Sequence, residues 1–271
     1  MEISREIKFL ISKYNFRPKD HLGQNFLIAS QGLNVIVEAL NPQKDLSYIE
    51  IGAGFLTLTR LVSRRAKKVY AVEKDSQYLK FYKDFLEENK ETNIEILLQD
   101  ALDLDYGVFH TDEVYGNIPY NISSDLIVKL SKENNIKRII LLLQKEFSDR
   151  ILANPKTKEY GVLTILTDLF FDKKFIRTFP ESFFFPRPRV FSSLIELKRK
   201  NAYSIEIEGF ISFVRKSFQM RRKKLINNIK ENFPEEKIHN ALKKAGLAED
   251  IRPEELSSDQ YIGLFNALTI H

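Results

Sequence analysis

The sequence predicts an α/β fold with a mostly parallel sheet, followed by a small helical domain. Over the first two thirds of the chain, short apolar and β-branched runs alternate with amphipathic stretches, which is typical of βαβ units. Beyond residue 200, apolar residues recur only at helical spacing. We therefore expect two domains, residues 1–199 and residues 200–271, of which the first is built around the sheet.

The predicted sheet begins with five strands that follow one another through helical stretches. The apolar runs place these strands at residues 48–52, 68–73, 94–99, 113–117 and 138–143. The fifth contains an unbroken run from Ile139 to Leu143, as expected for a strand buried on both faces. Two further strands, 174–179 and 191–198, are separated only by a loop rich in Phe and Pro. Because parallel neighbours need a long crossover, this loop predicts an antiparallel pair at one edge of a mixed sheet.

Composition restricts the kind of protein this can be. Of the 271 residues, 43% are hydrophobic and 29% are charged, as in ordinary globular proteins. There is no cysteine, which excludes disulfides and cysteine-based metal sites or nucleophiles. No apolar run is long enough to span a bilayer and the N-terminus lacks a secretory pattern, so a cytoplasmic protein is expected. The net charge of +5 favours a polyanionic partner only weakly.

A loop with two glycines, Gly52 and Gly54, follows the first predicted strand. Such glycines let the backbone turn sharply and approach a ligand, although a plain strand-to-helix turn has the same pattern. A dinucleotide site would show a third glycine where this chain has Thr57. The loop therefore favours a nucleoside ligand without a pyrophosphate, such as S-adenosylmethionine.

Two acidic residues stand at the ends of the next two strands. Glu73 ends the second strand, where a carboxylate typically binds the hydroxyls of an adenosine ribose. Asp100 follows the third strand and could accept a hydrogen bond from the exocyclic amine of adenine. Either acid alone could be a solvated loop residue. A glycine loop and two acids at three successive strand ends predict an adenosine-containing cofactor at the carboxyl edge of the sheet.

The fourth strand ends in Asn117-Ile118-Pro119-Tyr120, a pattern suited to methylation of adenine N6. The lone pair of this amine is delocalised into the ring, so the nitrogen must become pyramidal before it attacks a methyl group. The Asn117 side-chain oxygen and the Ile118 carbonyl could accept the two N6 hydrogens and favour that geometry. Pro119 stiffens the turn, and Tyr120 offers a face for an unstacked base. The other interpretation is a turn with a buried tyrosine.

Two later segments could contact RNA. In the loop 183–190, Phe184 could cover the opposite face of the unstacked base, with Arg187 and Arg189 on phosphates; a stiff loop with partly buried aromatics would look similar. The run 215–224 is predicted to be helical, with Phe218 and Leu225 facing the core. Its cations could bind RNA or simply form a solvated helix face, and they include Arg221, Arg222, Lys223 and Lys224.

Long motifs along the chain are similar to those of the KsgA/RsmA ribosomal RNA adenine dimethyltransferases, relatives of the Erm resistance methylases. The matching segments are His21-Leu22-Gly23-Gln24-Asn25-Phe26-Leu27, Glu50 to Gly54, Asn117 to Ser123, Gln144-Lys145-Glu146, Tyr160-Gly161, Phe184 to Ser192 and Phe218 to Leu225. The family commonly has Pro where this chain has Ala53, which leaves room for the cofactor. The basic motif 221–225 and the ending 252–257 resemble KsgA more than Erm.

The resemblance implies a Rossmann-like class I methyltransferase domain with a seven-stranded sheet and a helical C-terminal domain. It implies dimethylation of two adjacent adenosines near the 3′ end of small-subunit ribosomal RNA. S-adenosylmethionine would be contacted by Asn25, Leu27, Gly52, Glu73 and Asp100, and Asn117 would touch both cofactor and target. The implied partner is the RNA of a pre-30S particle, the enzyme acting as a monomer.

Methyl transfer from an activated donor needs no metal, and His21 and His110 lack companion ligands for one. Three alternatives stay open at this point: an Erm-type methylase of large-subunit RNA, a non-catalytic assembly factor on the same fold, and a DNA adenine methylase. The last would more often show Asp in place of Asn117. A non-catalytic protein would be expected to have lost residues of the Asn117–Tyr120 motif or Glu73, which are present.

Overall fold

A computed structural model of the chain describes residues 2–19, 23–88, 93–200 and 205–269. The chain forms two compact units, the first composed of Met1–Ser148 and Lys174–Arg199 and the second of Asp149–Lys173 and Lys200–His271. The break near residue 200 lies where the sequence pattern changes. The expected division into 1–199 and 200–271 nevertheless needs a correction, because residues 149–173 belong to the second unit.

The first unit is built on a seven-stranded mixed sheet, so the predicted α/β class is confirmed. Its strands are β2 (Ser47–Ile51), β3 (Lys68–Glu73), β4 (Ile94–Leu98), β5 (Glu113–Asn117), β6 (Arg138–Gln144), β7 (Phe171–Phe179) and β9 (Ser192–Arg199). They follow the order β4-β3-β2-β5-β6-β9-β7 across the sheet. Neighbours from β4 to β6 are parallel, and β9 runs antiparallel to β6.

The central strands are buried on both faces, as their apolar runs require. In β6, the five residues from Ile139 to Leu143 are each at most 1% exposed. In β2, Tyr48 and Ile49 point to opposite faces and are both buried. The helices of this part of the chain are α1 (Glu2–Lys13), α2 (Ser30–Leu40), α3 (Thr57–Ser63), α4 (Leu79–Glu88), α5 (Ser123–Lys132) and α6 (Lys145–Ile151).

A second, two-stranded sheet joins distant parts of the first unit. Strand β1 (Phe26–Leu27) pairs antiparallel with β8 (Phe184–Phe185), with Phe26 opposite Phe185 and Leu27 opposite Phe184. The backbone N–H of Ile28 extends this contact by donating to the Phe183 carbonyl at 2.8 Å. The N-terminal segment, by which we mean residues 23–28, is therefore held against the loop 183–190. The sequence pattern did not predict this pairing.

The second unit is helical and has its own core. Its helices are α7 (Val162–Phe170), α8 (Ile207–Ser217), α9 (Leu225–Ile229), α10 (Glu235–Lys244) and α11 (Ser258–Thr269). Apolar side chains of α7, including Ile165 and Leu169, share this core with Phe210 of α8 and Leu264 of α11. This burial is the reason that residues 149–173 group with the C-terminal helices.

The predicted helix through residues 215–224 is wrong beyond Ser217, where α8 ends. Residues 218–222 form turns instead, and the buried side chain of Asn228 forms hydrogen bonds with the backbone of Ser217 and Met220. Its Nδ2 donates to the Ser217 carbonyl at 2.6 Å, and its Oδ1 accepts from the Met220 N–H at 3.2 Å. The expected core positions do hold, since Leu225 is fully buried and Phe218 packs against the same cluster. Across the described ranges, no helix is long and apolar enough to cross a bilayer.

Candidate active site and cofactor pocket

A cavity in the first unit opens at the carboxyl ends of the central strands. It brings together the glycine loop and the residues that follow β3, β4 and β5 along the sheet edge. The predicted cofactor residues all line it, together with parts of the N-terminal segment; they are Asn25, Leu27, Gly52, Glu73, Asp100 and Asn117. Adjacent strand ends thus converge on one site, as the order of motifs predicted.

The glycine loop, residues 52–54, lines the cavity and has no large side chain. Gly52 has φ +76°, and a Cβ there would lie 3.3 Å from the Asn117 carbonyl oxygen, so both the conformation and the close approach favour glycine. The N–H groups of Gly52 and Ala53 donate to the Val72 carbonyl at 2.9 and 3.1 Å. Tyr82 secures the far end of the loop by donating from its hydroxyl to the Gly54 carbonyl at 2.9 Å.

Glu73 connects the glycine loop to the end of β3. Its Oε2 accepts the Gly54 N–H at 3.0 Å, and its Oε1 accepts the Asp75 N–H at 2.9 Å. Burial raises the pKa of this carboxyl, and the two backbone hydrogen bonds offset part of that rise. The side chain is therefore held in one orientation at the cavity wall, with acceptor capacity left for a ribose hydroxyl.

Asp100 lies on the cavity wall beyond Glu73 and is paired with a lysine. Its Oδ1 accepts the Leu102 N–H at 3.0 Å, and its Oδ2 accepts from Lys74 Nζ. Burial disfavours the charged form, but the hydrogen bonds from Lys74 and Leu102 outweigh it and lower the pKa. Asp100 is accordingly an ionised acceptor, as an exocyclic amine would require. Lys74, which also lines the cavity, was missed by the sequence analysis.

Asn117 ends β5 at the cavity, where its amide is fixed by the N-terminal segment. Its Nδ2 donates to the Asn25 backbone carbonyl at 2.8 Å. Within the same turn, the Ile118 N–H donates to the Leu142 carbonyl at 3.0 Å, and Pro119 lines the cavity. The backbone of Tyr120 begins a short 3-10 turn, Tyr120–Ile122, but its side chain lies outside what the structure describes. The stacking role of Tyr120 stays a prediction.

Phe184 is only 3% exposed, which bears on the base-stacking role predicted for it. It lies opposite Leu27 in the β1–β8 pair and packs in a core cluster with Leu33 and Phe179. In this arrangement its ring offers little free surface to a base, because strand pairing directs it into the core. The stacking role of Phe184 stays a prediction and requires the surrounding packing to open.

Glu50 is a buried acid of the cavity that the sequence analysis treated only as part of a motif. It is 3% exposed and accepts a hydrogen bond of 2.9 Å from the Tyr115 hydroxyl on the neighbouring strand. Burial is the main cause that raises its pKa to about 8. An acid between the apolar residues Ile49 and Ile51 of strand Ser47–Ile51 was the available signal.

The predicted RNA-contacting cations differ in how free they are. Arg222, Lys223 and Lys224 are exposed on the turn after α8, where they line a polar depression of the second unit. Arg221 instead uses its guanidinium internally, donating to the Lys158 and Thr157 carbonyls at 2.6 and 2.7 Å. In the first unit, Arg189 is exposed.

Arg187 is also exposed in the first unit, but it already has an acidic neighbour. Its guanidinium lies 3.2 Å from Glu181 Oε2, and its side chain is 68% exposed. Exposed ion pairs of this kind contribute little to stability, so the guanidinium can exchange its partner for a phosphate.

Elsewhere among the residues described, no group of His, Asp and Glu side chains is arranged to hold a metal ion. Of the motif residues, His21 and Leu22 lie outside the described ranges.

Known proteins match this chain over nearly its full length. The family model for ribosomal RNA adenine dimethylase matches residues 15–269. The ribosomal RNA small subunit methyltransferase A of Geobacillus thermodenitrificans is 36% identical over 96% of this chain and 94% of its own length. That of Clostridium botulinum is 35% identical, covering 94% of this chain and 95% of the relative.

Two solved structures resemble the fold closely. A dimethyladenosine transferase from Plasmodium falciparum superimposes with a TM-score of 0.77 at 28% identity, covering 87% of this chain and 94% of that one. The 23S rRNA methyltransferase ErmE superimposes with a TM-score of 0.69 at 26% identity, covering 90% of this chain and 99% of that one.

Proposed function

We infer the function from one premise: the chain belongs to the ribosomal RNA adenine dimethylase family, whose model matches residues 15–269. It is an S-adenosylmethionine-dependent enzyme that dimethylates adenine N6 in 16S ribosomal RNA. The target is a pair of adjacent adenosines near the 3′ end, which become N6,N6-dimethyladenosine during maturation of the small subunit. This function accords with the named small-subunit methyltransferases, which are 35–36% identical over at least 94% of the chain.

One observation carries the proposal at the level of the site. Asn117 Nδ2 is engaged by the Asn25 carbonyl at 2.8 Å, so Oδ1 is the atom left to accept a hydrogen bond at the cavity. On the same wall, Glu73 and Asp100 supply acceptors suited to the ribose and the adenine of a nucleoside. An acceptor for the target amine and acceptors for an adenosine cofactor therefore share one cavity.

The cavity fits S-adenosylmethionine in chemistry as well as in placement. Gly52 has no side chain, and a Cβ there would crowd the Asn117 carbonyl. At this position the loop therefore presents only its backbone to a ligand. When bound, S-adenosylmethionine supplies a methyl group activated by a positively charged sulfur. Glu73 is assigned to the ribose hydroxyls and Asp100 to the adenine amine, while Asn25 and Leu27 contribute the wall on the other side.

The residues of the Asn117–Tyr120 turn act on the target adenine. The Asn117 Oδ1 and the Ile118 carbonyl accept the two N6 hydrogens, which favours the pyramidal and increasingly positive nitrogen of the transition state. Tyr120 is assigned a face of the base. The proton leaves N6 for water after transfer, because the alkylated ammonium is acidic, so no side chain is needed as a general base. The protein's contribution is positioning and electrostatic stabilisation.

RNA is held by cations outside the cavity. Arg222, Lys223 and Lys224 are assigned to phosphates of the RNA, as are Arg187 and Arg189. Arg221 is already committed to two backbone carbonyls, so we assign it first to shaping the basic turn and only secondarily to RNA. We further propose that the enzyme acts as a monomer on a pre-30S particle in the cytoplasm.

The alternative with specific support is a large-subunit target, because ErmE shares the fold at 26% identity. The decisive experiment incubates unmodified small and large subunits with labelled S-adenosylmethionine and maps the methylated nucleotides. We expect dimethyladenosine in the small-subunit RNA alone. Label confined to the large subunit would establish the alternative, and no label on either would favour a non-catalytic assembly factor.

A further inference from the structure

Asp75 is a buried carboxylate just beyond the cofactor-binding Glu73. Its side chain is 1% exposed, yet it accepts four hydrogen bonds from described residues. Oδ1 receives Lys19 Nζ at 3.0 Å and the Gln77 N–H at 3.1 Å; Oδ2 receives Gln24 Nε2 at 2.8 Å and Gln77 Nε2 at 2.9 Å. Burial opposes the charge, but these hydrogen bonds outweigh it and lower the pKa of Asp75. The Asp75 carboxylate is therefore ionised, and both of its oxygens are held by hydrogen bonds.

Part of this arrangement is local and common. By accepting the Gln77 N–H, Asp75 caps the short turn Ser76–Tyr78, as Asp residues often do at the start of a helix. The contacts with Lys19 and Gln24 have no such local explanation, since these residues lie 56 and 51 positions earlier in the chain. A further bond, from the Lys19 N–H to Gln24 Oε1 at 2.8 Å, ties the two donors to each other.

One of these donors, Gln24, belongs to a segment that lines the cofactor cavity. Residues 23–27, which we name the wall segment, all line the cavity. Gln24 is part of this segment, and the carbonyl of the next residue, Asn25, accepts the Asn117 amide. The N–H of Asp75 also donates to Glu73 Oε1 at 2.9 Å. One residue thus contacts Glu73 through its backbone and the wall segment through its side chain.

We propose that Asp75 is a positioning residue that holds the wall segment against the cofactor cavity and, through Asn25, sets the orientation of Asn117. It does not touch the reacting atoms. Loss of its charge releases Gln24 and Lys19, so the wall segment opens more often and the cofactor binds more weakly. The part that concerns the cofactor rests on the proposed function; the part that concerns the wall segment does not.

The test uses the full-length protein and the variant Asp75→Asn, which keeps the shape and the cap but removes the charge. The matched control is Asp105→Asn, because Asp105 caps an equivalent short turn by accepting the Gly107 N–H at 2.9 Å. Amide hydrogen exchange is measured on residues 23–27. We expect exchange there to be about 10- to 100-fold faster in Asp75→Asn than in Asp105→Asn or the wild type, from the loss of charge-assisted hydrogen bonds. Equal exchange in all three proteins would overturn the proposal.

Affinity for S-adenosylhomocysteine, measured by calorimetry, gives the second readout. We expect a roughly 10- to 100-fold weaker Kd for Asp75→Asn and for Gln24→Ala. Because both changes break the same contact, the double variant should bind no more weakly than the weaker single one. Losses that multiply would show that Asp75 acts independently of Gln24 and would overturn the proposal. If Asp75→Asn does not fold, exchange and affinity in Gln24→Ala decide the question in the same way.

The two readouts separate failure of the positioning role from failure of the proposed function. If the wild type binds no S-adenosylhomocysteine and methylates no ribosomal RNA, the proposed function is wrong, yet exchange in residues 23–27 still decides whether Asp75 holds the wall segment. If the wild type binds and methylates while Asp75→Asn behaves like Asp105→Asn, only the positioning role is wrong.

Discussion

The side-chain amide of Asn117 donates to the backbone carbonyl of Asn25, 92 residues earlier in the chain, over 2.8 Å. The two ends of an asparagine amide have different roles, and a backbone carbonyl can only accept. Asn25 therefore decides which end of Asn117 remains for a ligand, and that end is the oxygen. The oxygen that we propose as the acceptor for the target amine is thus oriented by a residue of the N-terminal segment.

This relationship predicts that Asn117 needs its donor as well as its acceptor. Asn117→Ala should lower kcat by about 30- to 10³-fold, through loss of roughly 2–4 kcal/mol of transition-state stabilisation. Asn117→Asp keeps an acceptor but places a carboxylate against the Asn25 carbonyl, so it should also lose activity. Single-turnover methylation of small-subunit RNA measures both. Wild-type rates for Asn117→Asp would show that the bond to Asn25 has no role in orientation.

Gly52 is predicted to be required for close approach and not only for its conformation. Alanine at φ +76° is strained by about 1–2 kcal/mol, and its Cβ would also crowd the Asn117 carbonyl oxygen. Gly246 is the matched control, because it has φ +64° and a Cβ added there would meet nothing within 4 Å. We expect Gly52→Ala to lose at least as much stability as Gly246→Ala in thermal unfolding, because only its Cβ meets a neighbouring backbone atom. Only Gly52→Ala should weaken S-adenosylhomocysteine binding, and equal affinity in both variants would contradict this.

Glu50 predicts a specific dependence of stability on pH. Its pKa is raised from 4.5 to about 8 by burial, so the folded state prefers the protonated form. The stability associated with this group is fully present below about pH 4.5 and is lost as the pH rises through about 8. Glu50→Gln removes that loss, so the variant should gain relative to the wild type between pH 5 and pH 8.5, by at most about 5 kcal/mol.

The measurement for Glu50 is urea unfolding without cofactor across this pH range. Glu236→Gln, at an exposed position on α10, serves as the control and should follow the wild type at every pH. Parallel curves for Glu50→Gln and the wild type would mean that Glu50 is not buried in its neutral form. The comparison is between variants, so titration of acids that do not interact with Glu50 cancels; Glu73 is the exception, because its charge contributes to the raised pKa of Glu50.

In the basic turn of the second unit, residues 221–224, we expect some cations to affect RNA binding and one to affect stability. Neutralising Arg222, Lys223 and Lys224 together should weaken RNA binding and flatten its salt dependence by up to about one unit per lost phosphate contact. Arg221→Gln should mainly lower the melting temperature, because its guanidinium holds the carbonyls of Thr157 and Lys158. Binding to a 16S RNA fragment at several salt concentrations, with thermal unfolding alongside, distinguishes the two. An unchanged salt slope in the triple variant would remove the RNA-binding role.

Local patterns were sufficient to predict most of the sheet and the placement of Glu73 and Asp100 at the cavity. The bounds of β3 and β5 agree with the sequence prediction, and Glu73 lies at the cavity as expected from its place at a strand end. The reason is that alternation of buried side chains and the arrangement of parallel strand ends follow from short-range geometry. The end of α8 could not be predicted in this way, because the buried Asn228, eleven residues after Ser217, supplies the partner for its last turn.

Short-range patterns in the sequence were therefore enough to predict the α/β class, the change to helices near residue 200 and the convergence of Glu73, Asp100 and Asn117 at one edge of the sheet. Long-range packing was needed to show that residues 149–173 join the C-terminal helices, that Phe184 is buried beside Leu27, and that Asp75 and Asn25 form hydrogen bonds with distant residues of the cavity. These contacts join residues that are tens of positions apart. No periodic pattern encodes such pairs, because chain closure and the packing of the assembled sheet select them.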